Sequence, residues 1–218
     1  MTQIRNTPAL LGETDPLKTI QLMPGVQTAT EGFSGLYIRG GGPDQNLILL
    51  DGIPIYNADH LLGAFSIFTP EAIKKVTLFK GSFPARFGGR LSSIVDVRTN
   101  DGDMNRFHGT VSVGLLTNKL HFEGPIWKNR TSFCLTARRT YLDWLARPFL
   151  EDDKKYSYYF YDVNAKVNHR FSDRSRLFLS FYKGKDHCDY KRGESYQYEY
   201  VGYFYNDKLN LNWGNTVV

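Results

Sequence analysis

The chain has 218 residues, enough for one large domain or two small ones. Its 27 lysine and arginine residues against 22 acidic residues leave a formal net charge of +5, too modest to indicate nucleic acid binding. The most apolar windows, residues 47–50 and 61–68, are far shorter than the ~18 residues of a transmembrane helix. Aromatic residues make up 15% of the chain, which together with many glycines favours β structure.

The first hundred residues predict short helices mixed with strands. Asp15 as N-cap and Pro16 at the first helical position, followed by an apolar stripe, predict a short helix that ends before Pro24. Thr69 and Pro70 repeat this pattern and predict a second short helix. The sum is a small α+β module.

The strands of this module are predicted from turns and apolar runs. Asp51-Gly52 separates apolar residues 47–50 from residues 53–56 and predicts a hairpin, because a type I′ turn needs positive φ at both central residues. Further strands are predicted through Val76 and Leu78 and over residues 94–97.

Three candidate binding motifs have simpler explanations. Gly40-Gly41-Gly42 resembles a phosphate loop, but no GxxxxGK follows and no helix starts there. Asp51, Asp59 and His60 could bind a metal, yet the turn accounts for Asp51 and the other two lack a third ligand. Two cysteines, Cys134 and Cys188, form no zinc motif, so we expect no metal and no cofactor.

From Arg106 onward apolar residues alternate with polar ones, as expected of strands with one apolar and one polar face. We predict six strands, centred on residues 111–115, 120–122, 133–137, 159–171, 177–181 and 209–213. Basic residues of these strands, among them Arg138, Arg139 and Lys183, are interpreted as solvated strand faces rather than nucleic acid contacts.

The connections alternate between short and long. Residues 127–130 and 172–174 predict tight turns, whereas residues 141–158 and 186–204 predict long, tyrosine-rich loops. Outer-membrane barrels show this asymmetry, with turns on the periplasmic side and loops outside. The short connection at residues 116–118 does not fit the pattern. On the strands alone, a soluble β sandwich remains an equal alternative.

Five short segments follow one another in the first hundred residues: LMPGV (22–26), YIRGGGPDQN (37–46), LLDGIP (49–54), IKKVTLFKG (73–81) and ARFGG (85–89). In content, order and spacing they resemble the plug domain of TonB-dependent outer-membrane receptors, in the form common in Bacteroidetes-type bacteria. The resemblance implies a plug domain over residues 1–101 and the first strands of a transmembrane β-barrel over residues 102–218. It implies import of a nutrient past the plug, with no catalysis.

The resemblance also implies site roles and partners. The basic residues Arg39 and Lys80 would latch the plug to acidic residues on the inner barrel wall. The expected partners are TonB, outer-membrane lipid, a nutrient such as a glycan, siderophore or cobalamin-like compound, and a surface lipoprotein, but no nucleic acid. The plug loops at 41–46 and 57–61 would meet the nutrient.

The remaining site predictions fall into two groups. The residues predicted to maintain plug architecture are Gly40, Asp51, Gly52, Arg86, Gly88 and Gly89. The residues predicted to face the ligand are Gly42, Asp44, Gln45, Asn57 and His60.

Two expectations concern the extent of the chain and its class. A signal peptide, a TonB-contacting segment and most of the ~22 strands of a plugged barrel are expected outside this sequence. The alternative function is a soluble β-rich glycan- or nucleic-acid-binding protein with a plug-like module. An enzyme is not expected, because no nucleophile, base and orienting residue stand at a recognisable spacing.

Overall fold

A computed structural model describes residues 14–28, 35–145, 148, 154–198 and 201–217. Within these ranges, two α-helices, α1 (Pro16–Gln21) and α2 (Leu142–Leu145), lie among strands. The strands are β1 (Val26–Gln27), β2 (Tyr37–Ile38), β3 (Asn46–Leu50), β4 (Ile53–Ile55), β5 (Asp59–His60), β6 (Phe65–Ser66), β7 (Ile73–Lys80), β8 (Ser93–Thr99), β9 (His108–Val113), β10 (Thr117–Trp127), β11 (Thr131–Thr140), β12 (Lys154–Ser172), β13 (Ser175–Tyr198) and β14 (Val201–Val217). Neither described helix is long and apolar enough to cross a membrane.

Helix α1 begins where the sequence predicts. The Asp15 carboxylate accepts a hydrogen bond from the Leu17 backbone N–H at 2.8 Å, which satisfies a donor that the first helical turn leaves free. The second carboxylate oxygen of Asp15 accepts from the Ser66 N–H at 2.7 Å and so connects α1 to β6. Leu17 and Ile20 lie on the buried face of the helix.

The N-terminal module, residues 14–100, is built around a sheet of strand order β4-β3-β8-β7. Strands β3 and β4 form the predicted hairpin, with Asp51 at φ 49° and Gly52 at φ 93° as its turn. Strand β3 also pairs with β8 in parallel, and β7 pairs with β8 in antiparallel. Ile38, Val95 and Val97 lie fully buried in the core that this sheet shares with α1.

The second predicted helix is present as a 3₁₀ turn, but the Thr69 side chain does not cap it. Pro70–Ala72 forms one 3₁₀ turn, and β7 starts immediately afterwards at Ile73. The proline suits a helical start, but Ile73 and Val76 are β-branched and pair along β8. Sheet pairing therefore ends the helix after a single turn.

The second part of the chain is a six-stranded antiparallel sheet of strand order β14-β13-β12-β11-β10-β9. The six predicted strands are confirmed, and so are the tight turns between β10 and β11 and between β12 and β13. The connection from β9 to β10 is also short, with Gly114 N–H donating to the Thr117 carbonyl at 2.9 Å. These features confirm the predicted fold class, an α+β module followed by antiparallel strands that do not close into a barrel.

The long loop predicted at residues 186–204 is wrong, and the one predicted at residues 141–158 ends earlier than predicted, with residues 146–147 and 149–153 outside the described part of the chain. Strand β12 already begins at Lys154, and β13 pairs with β14 from Tyr182↔Val217 to Tyr198↔Val201. The tyrosine-rich sequence has high β propensity, and the pairing of two such strands satisfies their backbones without a loop. At ~3.4 Å per residue, the 24 residues of β13 span about 80 Å, far more than the 9–11 residues of a membrane-spanning strand.

The six-stranded sheet has its polarity inverted relative to a water-soluble sheet. Side chains buried against the N-terminal module are mostly polar, for example Thr136, Asp162 and Lys166. On the opposite face large apolar side chains are exposed, and they include Val111, Val113, Leu120, Phe122, Leu135, Leu177, Leu179, Leu209 and Leu211. An apolar outer band around a polar interior is typical of outer-membrane barrels.

Candidate functional site

The N-terminal module meets the six-stranded sheet through two groups of polar side chains. The first, the His60 cluster, contains His60 from the module and sheet residues Arg138, Tyr158, Asp162, Tyr182 and Asp186. The second, the Asp51 cluster, contains Asp51, Thr99 and Asp101 together with sheet residues Lys166 and Ser180. Both clusters lie where the inverted polarity of the sheet faces the module.

His60 lies between two carboxylates of the sheet. Its Nδ1 is 2.6 Å from Asp186 Oδ2 and its Nε2 is 2.8 Å from Asp162 Oδ1. A neutral imidazole has only one N–H, so two such contacts are satisfied together only by the imidazolium. The ring is 1% exposed and stacks on Phe160 with 4.2 Å between centroids.

The pKa of His60 reflects two opposing causes. Burial of the ring lowers the pKa, but the charge and hydrogen bond of Asp162 and the hydrogen bond of Asp186 outweigh it, so the net pKa is raised above 6.5. With His60 and Arg138 cationic, the cluster balances the two carboxylates. The positive charge of His60, which comes from the module, thus brings the net charge of this buried cluster to zero.

Arg138 ties the same cluster to the module a second time. Its Nε donates to Asp162 Oδ2 at 2.8 Å, and one terminal nitrogen donates to the Ser66 carbonyl at 2.6 Å. The interpretation of Arg138 as a solvated strand residue is therefore wrong, since it is 3% exposed. Its neighbour Arg139 is exposed on the other face, as strand alternation requires.

Strand β5 continues into a strained turn at Leu61, whose φ is 50°. The Leu61 N–H donates to the Tyr158 hydroxyl at 2.8 Å, and that hydroxyl in turn donates to Asp186. Nearby, Asn215 donates to the Asn57 carbonyl at 2.6 Å. The segment 57–61 is thus held by the sheet through backbone as well as side-chain contacts.

The Asp51 cluster combines a turn with an ion pair. The Asp51 carboxylate accepts hydrogen bonds from the Thr99 N–H at 3.0 Å and from Ser180 at 2.7 Å. Lys166 Nζ lies 3.4 Å from Asp51 and 2.9 Å from Asp101. Burial raises the pKa of Asp51, but the hydrogen bonds from Thr99 and Ser180 and the charge of Lys166 lower it below its usual value of 3.8.

The residues predicted as a latch make contacts within the module. Lys80 Nζ donates to the Pro24 carbonyl at 2.7 Å, and the Arg39 guanidinium packs against Gly81. The latch role of Arg39 and Lys80 toward acidic residues of a barrel wall stays a prediction.

The residues predicted to maintain plug architecture occupy turns. Gly40 has a φ of 82° in the turn that Ile38 and Gly41 close with mutual backbone hydrogen bonds. Gly89, next to Gly88, has a φ of 81°. Arg86 stacks over the Phe87 ring at 4.7 Å. For Asp51-Gly52 the turn is as predicted, whereas the contact of Asp51 with Lys166 was not predicted.

The predicted ligand-facing residues separate into two groups. Gly42, Asp44 and Gln45 lie in a 3₁₀ turn before β3, at the opposite end of that strand from Asp51, and Asp44 is exposed. Asn57 and His60 instead face the sheet. For His60 this differs from the expectation, because both ring nitrogens are engaged by carboxylates.

Sequence reasoning missed the partners of His60 because they lie 102 and 126 residues away. One signal was available. Asp162 belongs to the polar half of the β12 alternation, and a charged residue in the middle of such a face needs a partner in the interior.

Comparisons with known proteins find a family match and a curated relative for parts of this chain. Residues 7–93 match the TonB-dependent receptor plug domain family. The ferrienterobactin receptor of Escherichia coli (strain K12) is 30% identical over 140 residues, which cover 56% of this chain and 18% of that protein. The chain thus spans less than a fifth of the curated relative that it matches.

Solved structures share the fold. The siderophore receptor PirA from Pseudomonas aeruginosa superposes with a TM-score of 0.57 at 20% identity, over 97% of this chain and 41% of that one. PirA from Acinetobacter baumannii gives a TM-score of 0.56 at 18% identity, over 93% of this chain and 37% of that one. The family match identifies the N-terminal module as a TonB-dependent receptor plug domain, here called the plug, and the six-stranded sheet, here called the wall, has the fold of the strands that follow in these receptor structures.

Proposed function

We propose that this chain supplies the plug and adjoining wall of a receptor in the cell outer membrane that imports a nutrient into the periplasm. The nutrient would bind on the outside, and TonB would supply the energy that displaces the plug. The observation that carries this proposal is the pair of polar clusters, because they attach the plug to the wall by dissociable ion pairs and hydrogen bonds at two places.

Buried ion pairs suit a plug that must stay in place and later move. The attraction between the paired charges only slightly exceeds the cost of removing them from water, so the ion pairs keep the plug in place as long as water is excluded from them. Once water enters, each charge regains its hydration and the contact loses most of its strength. A mechanical pull that opens a path for water would therefore release His60 from Asp162 and Asp186.

The membrane location is supported by the outer face of the six-stranded sheet. Leu120 and Leu211 on this face are 46% and 45% exposed, and other apolar side chains lie beside them. In a membrane, lipid hydrocarbon would cover this apolar band. The same face counts against the alternative of a soluble β-rich glycan- or nucleic-acid-binding protein, in which this band would remain in water.

Among the candidate nutrients, we propose a ferric siderophore. The curated relative is named for ferrienterobactin, and the solved structures are siderophore receptors. A glycan and a cobalamin-like compound are the alternative nutrients, and the uptake experiment compares them with the siderophore. A surface lipoprotein is proposed as an additional partner of the receptor. Catalysis plays no part in this proposal, in keeping with relatives that are transport receptors.

The test is uptake by the receptor that carries this chain, expressed in a strain without siderophore receptors. We expect uptake of radiolabelled iron with a siderophore, dependent on a functional TonB, and recovery of the protein in the outer-membrane fraction. Labelled cobalamin and an oligosaccharide are tested in parallel. Recovery of the protein in the soluble fraction, or siderophore uptake that is unchanged without TonB, would overturn the proposal.

A further inference from the structure

Three potential metal ligands meet on two neighbouring wall strands. His121 and Glu123 stand two residues apart on β10 and so share a face, and Cys134 on β11 is the direct pairing partner of Glu123. One ligand atom from each residue lies within 4.8 Å of the other two. This group shares no residue with the His60 and Asp51 clusters, although Cys134 is the pairing partner of Lys166, and it has no role in the proposed import.

The surroundings orient these side chains as they would around a metal. His121 Nδ1 is 3.0 Å from the Thr136 hydroxyl, and its Nε2 is 3.8 Å from Glu123 Oε2. An Nδ1–H that donates to Thr136 leaves the Nε2 lone pair directed toward Glu123. Glu123 Oε2 itself accepts from the Asn100 amide at 2.7 Å, so both ligands carry outer hydrogen bonds.

Burial protects the group from bulk water. His121 is 8% exposed and Cys134 is 5% exposed. Cys134 and Asn100 also line a cavity of about 240 Å³ between plug and wall, which has room for a water molecule as a fourth ligand.

We propose that His121, Glu123 and Cys134 bind a zinc ion, with water in the fourth position. Zinc accepts nitrogen, oxygen and sulfur ligands together, and sites with three protein ligands and a water are common. Tetrahedral bonds of about 2.0–2.3 Å place ligand atoms roughly 3.3–3.7 Å apart, so the 3.8 Å between His121 and Glu123 is close to the required spacing, and Cys134, within 4.8 Å of both, would move closer by up to about 1 Å. The ion would join β10 to β11 beside the linker that leaves the plug at Asn100.

The test uses Co²⁺ as a spectroscopic substitute for Zn²⁺ in the purified, detergent-solubilised protein. We expect one ion per chain, with a thiolate-to-cobalt charge-transfer band that Zn²⁺ abolishes by displacement. Cys134→Ser should remove the band. Cys188→Ser is the matched control and should keep it, because Cys188 is the other free cysteine and lies outside the group.

A second variant keeps the test informative if Cys134→Ser fails to fold. Thr136→Val removes the hydrogen bond that orients His121 and should weaken Zn²⁺ binding about 10- to 100-fold, the usual effect of losing an outer partner. The unfolding midpoint without metal checks the fold of each variant. The proposal is overturned if the wild-type protein binds no Zn²⁺, if Cys134→Ser binds it as tightly as wild type, or if Cys188→Ser loses the band.

Discussion

The His60 cluster and the Asp51 cluster both join plug to wall, but they differ in how far water is excluded. In the His60 cluster, Asp162 and Asp186 are 0% exposed, and every charge faces another within the group. In the Asp51 cluster, the Asp101 side chain is 27% exposed and Asp51 and Lys166 line the cavity of about 240 Å³. The same kind of ion pair is thus dry in one place and near water in the other.

This difference determines what each contact contributes. A charge left alone in a dry site retains its whole desolvation penalty, whereas one near a cavity regains part of its hydration. The His60 cluster should therefore respond sharply to the loss of one member, and the Asp51 cluster mildly. Four measurements test this difference.

The largest effect is expected from Asp162→Asn. This change leaves Arg138 without its carboxylate and removes one of the two partners of His60. We expect a loss of about 3–5 kcal/mol in the free energy of unfolding, followed by urea denaturation in detergent. Asp173→Asn in the exposed turn between β12 and β13 is the matched control and should stay within about 0.5 kcal/mol. Equal losses in both variants would contradict the comparison.

A pH dependence is expected from His60. Its folded pKa is raised above 6.5, so its contribution to stability is fully present below 6.5 and is lost as the pH rises through the folded pKa. The urea midpoint of the wild-type protein should therefore fall on the alkaline side of 6.5. His60→Gln should remove this part of the pH profile and leave the rest, and an unchanged profile would show that His60 is not the titrating group.

A smaller loss is expected from Asp51→Asn. Asparagine tolerates the left-handed conformation of the turn, and Lys166 keeps Asp101 at 2.9 Å. Loss of charge-assisted hydrogen bonds should cost about 1.5–3 kcal/mol in the free energy of unfolding near neutral pH. Because the pKa of Asp51 is lowered, the difference from wild type should vanish as the pH falls through that pKa, below 3.8. A loss as large as that of Asp162→Asn would remove the distinction between the clusters.

The smallest effect is expected from Lys80→Ala and Arg39→Ala. The contacts described for these residues lie within the plug, so each change should alter the free energy of unfolding by about 0.5 kcal/mol or less. Uptake by the whole receptor is measured alongside. A loss of several kcal/mol, or impaired uptake, would instead support the latch that the family resemblance implies for Arg39 and Lys80.

Local features of the fold could be predicted from the sequence because their causes are local. Asp15 caps α1 through a partner two residues away, and Asp51-Gly52 turns the chain within a single hairpin. The six wall strands follow from a period of two in their own side chains. The type of the turn at Pro70 could not be predicted, because pairing of β7 with β8 decides it.

The polar clusters could be predicted only in part because their members come from distant segments. Polar residues at alternate positions of β12 indicate that one face of the strand points away from lipid. They do not indicate that Asp162 contacts His60 or that Lys166 contacts Asp51. The length of β13 was missed for a similar reason. A polar, tyrosine-rich stretch looks like a loop until its partner strand is known.

The two hydrogen bonds at Ser66 connect the start of α1 mechanically to the wall. The Asp15 carboxylate holds the Ser66 N–H, and the Ser66 carbonyl is held by Arg138 of the wall. Tension applied just before α1 would therefore reach the wall through two bonds in series, and a series connection yields at its weaker bond. The contacts of His60 and Leu61 instead stand side by side and share any load. On pulling at Asp15, we expect one of these two hydrogen bonds to break first, before His60 separates from Asp162 and Asp186.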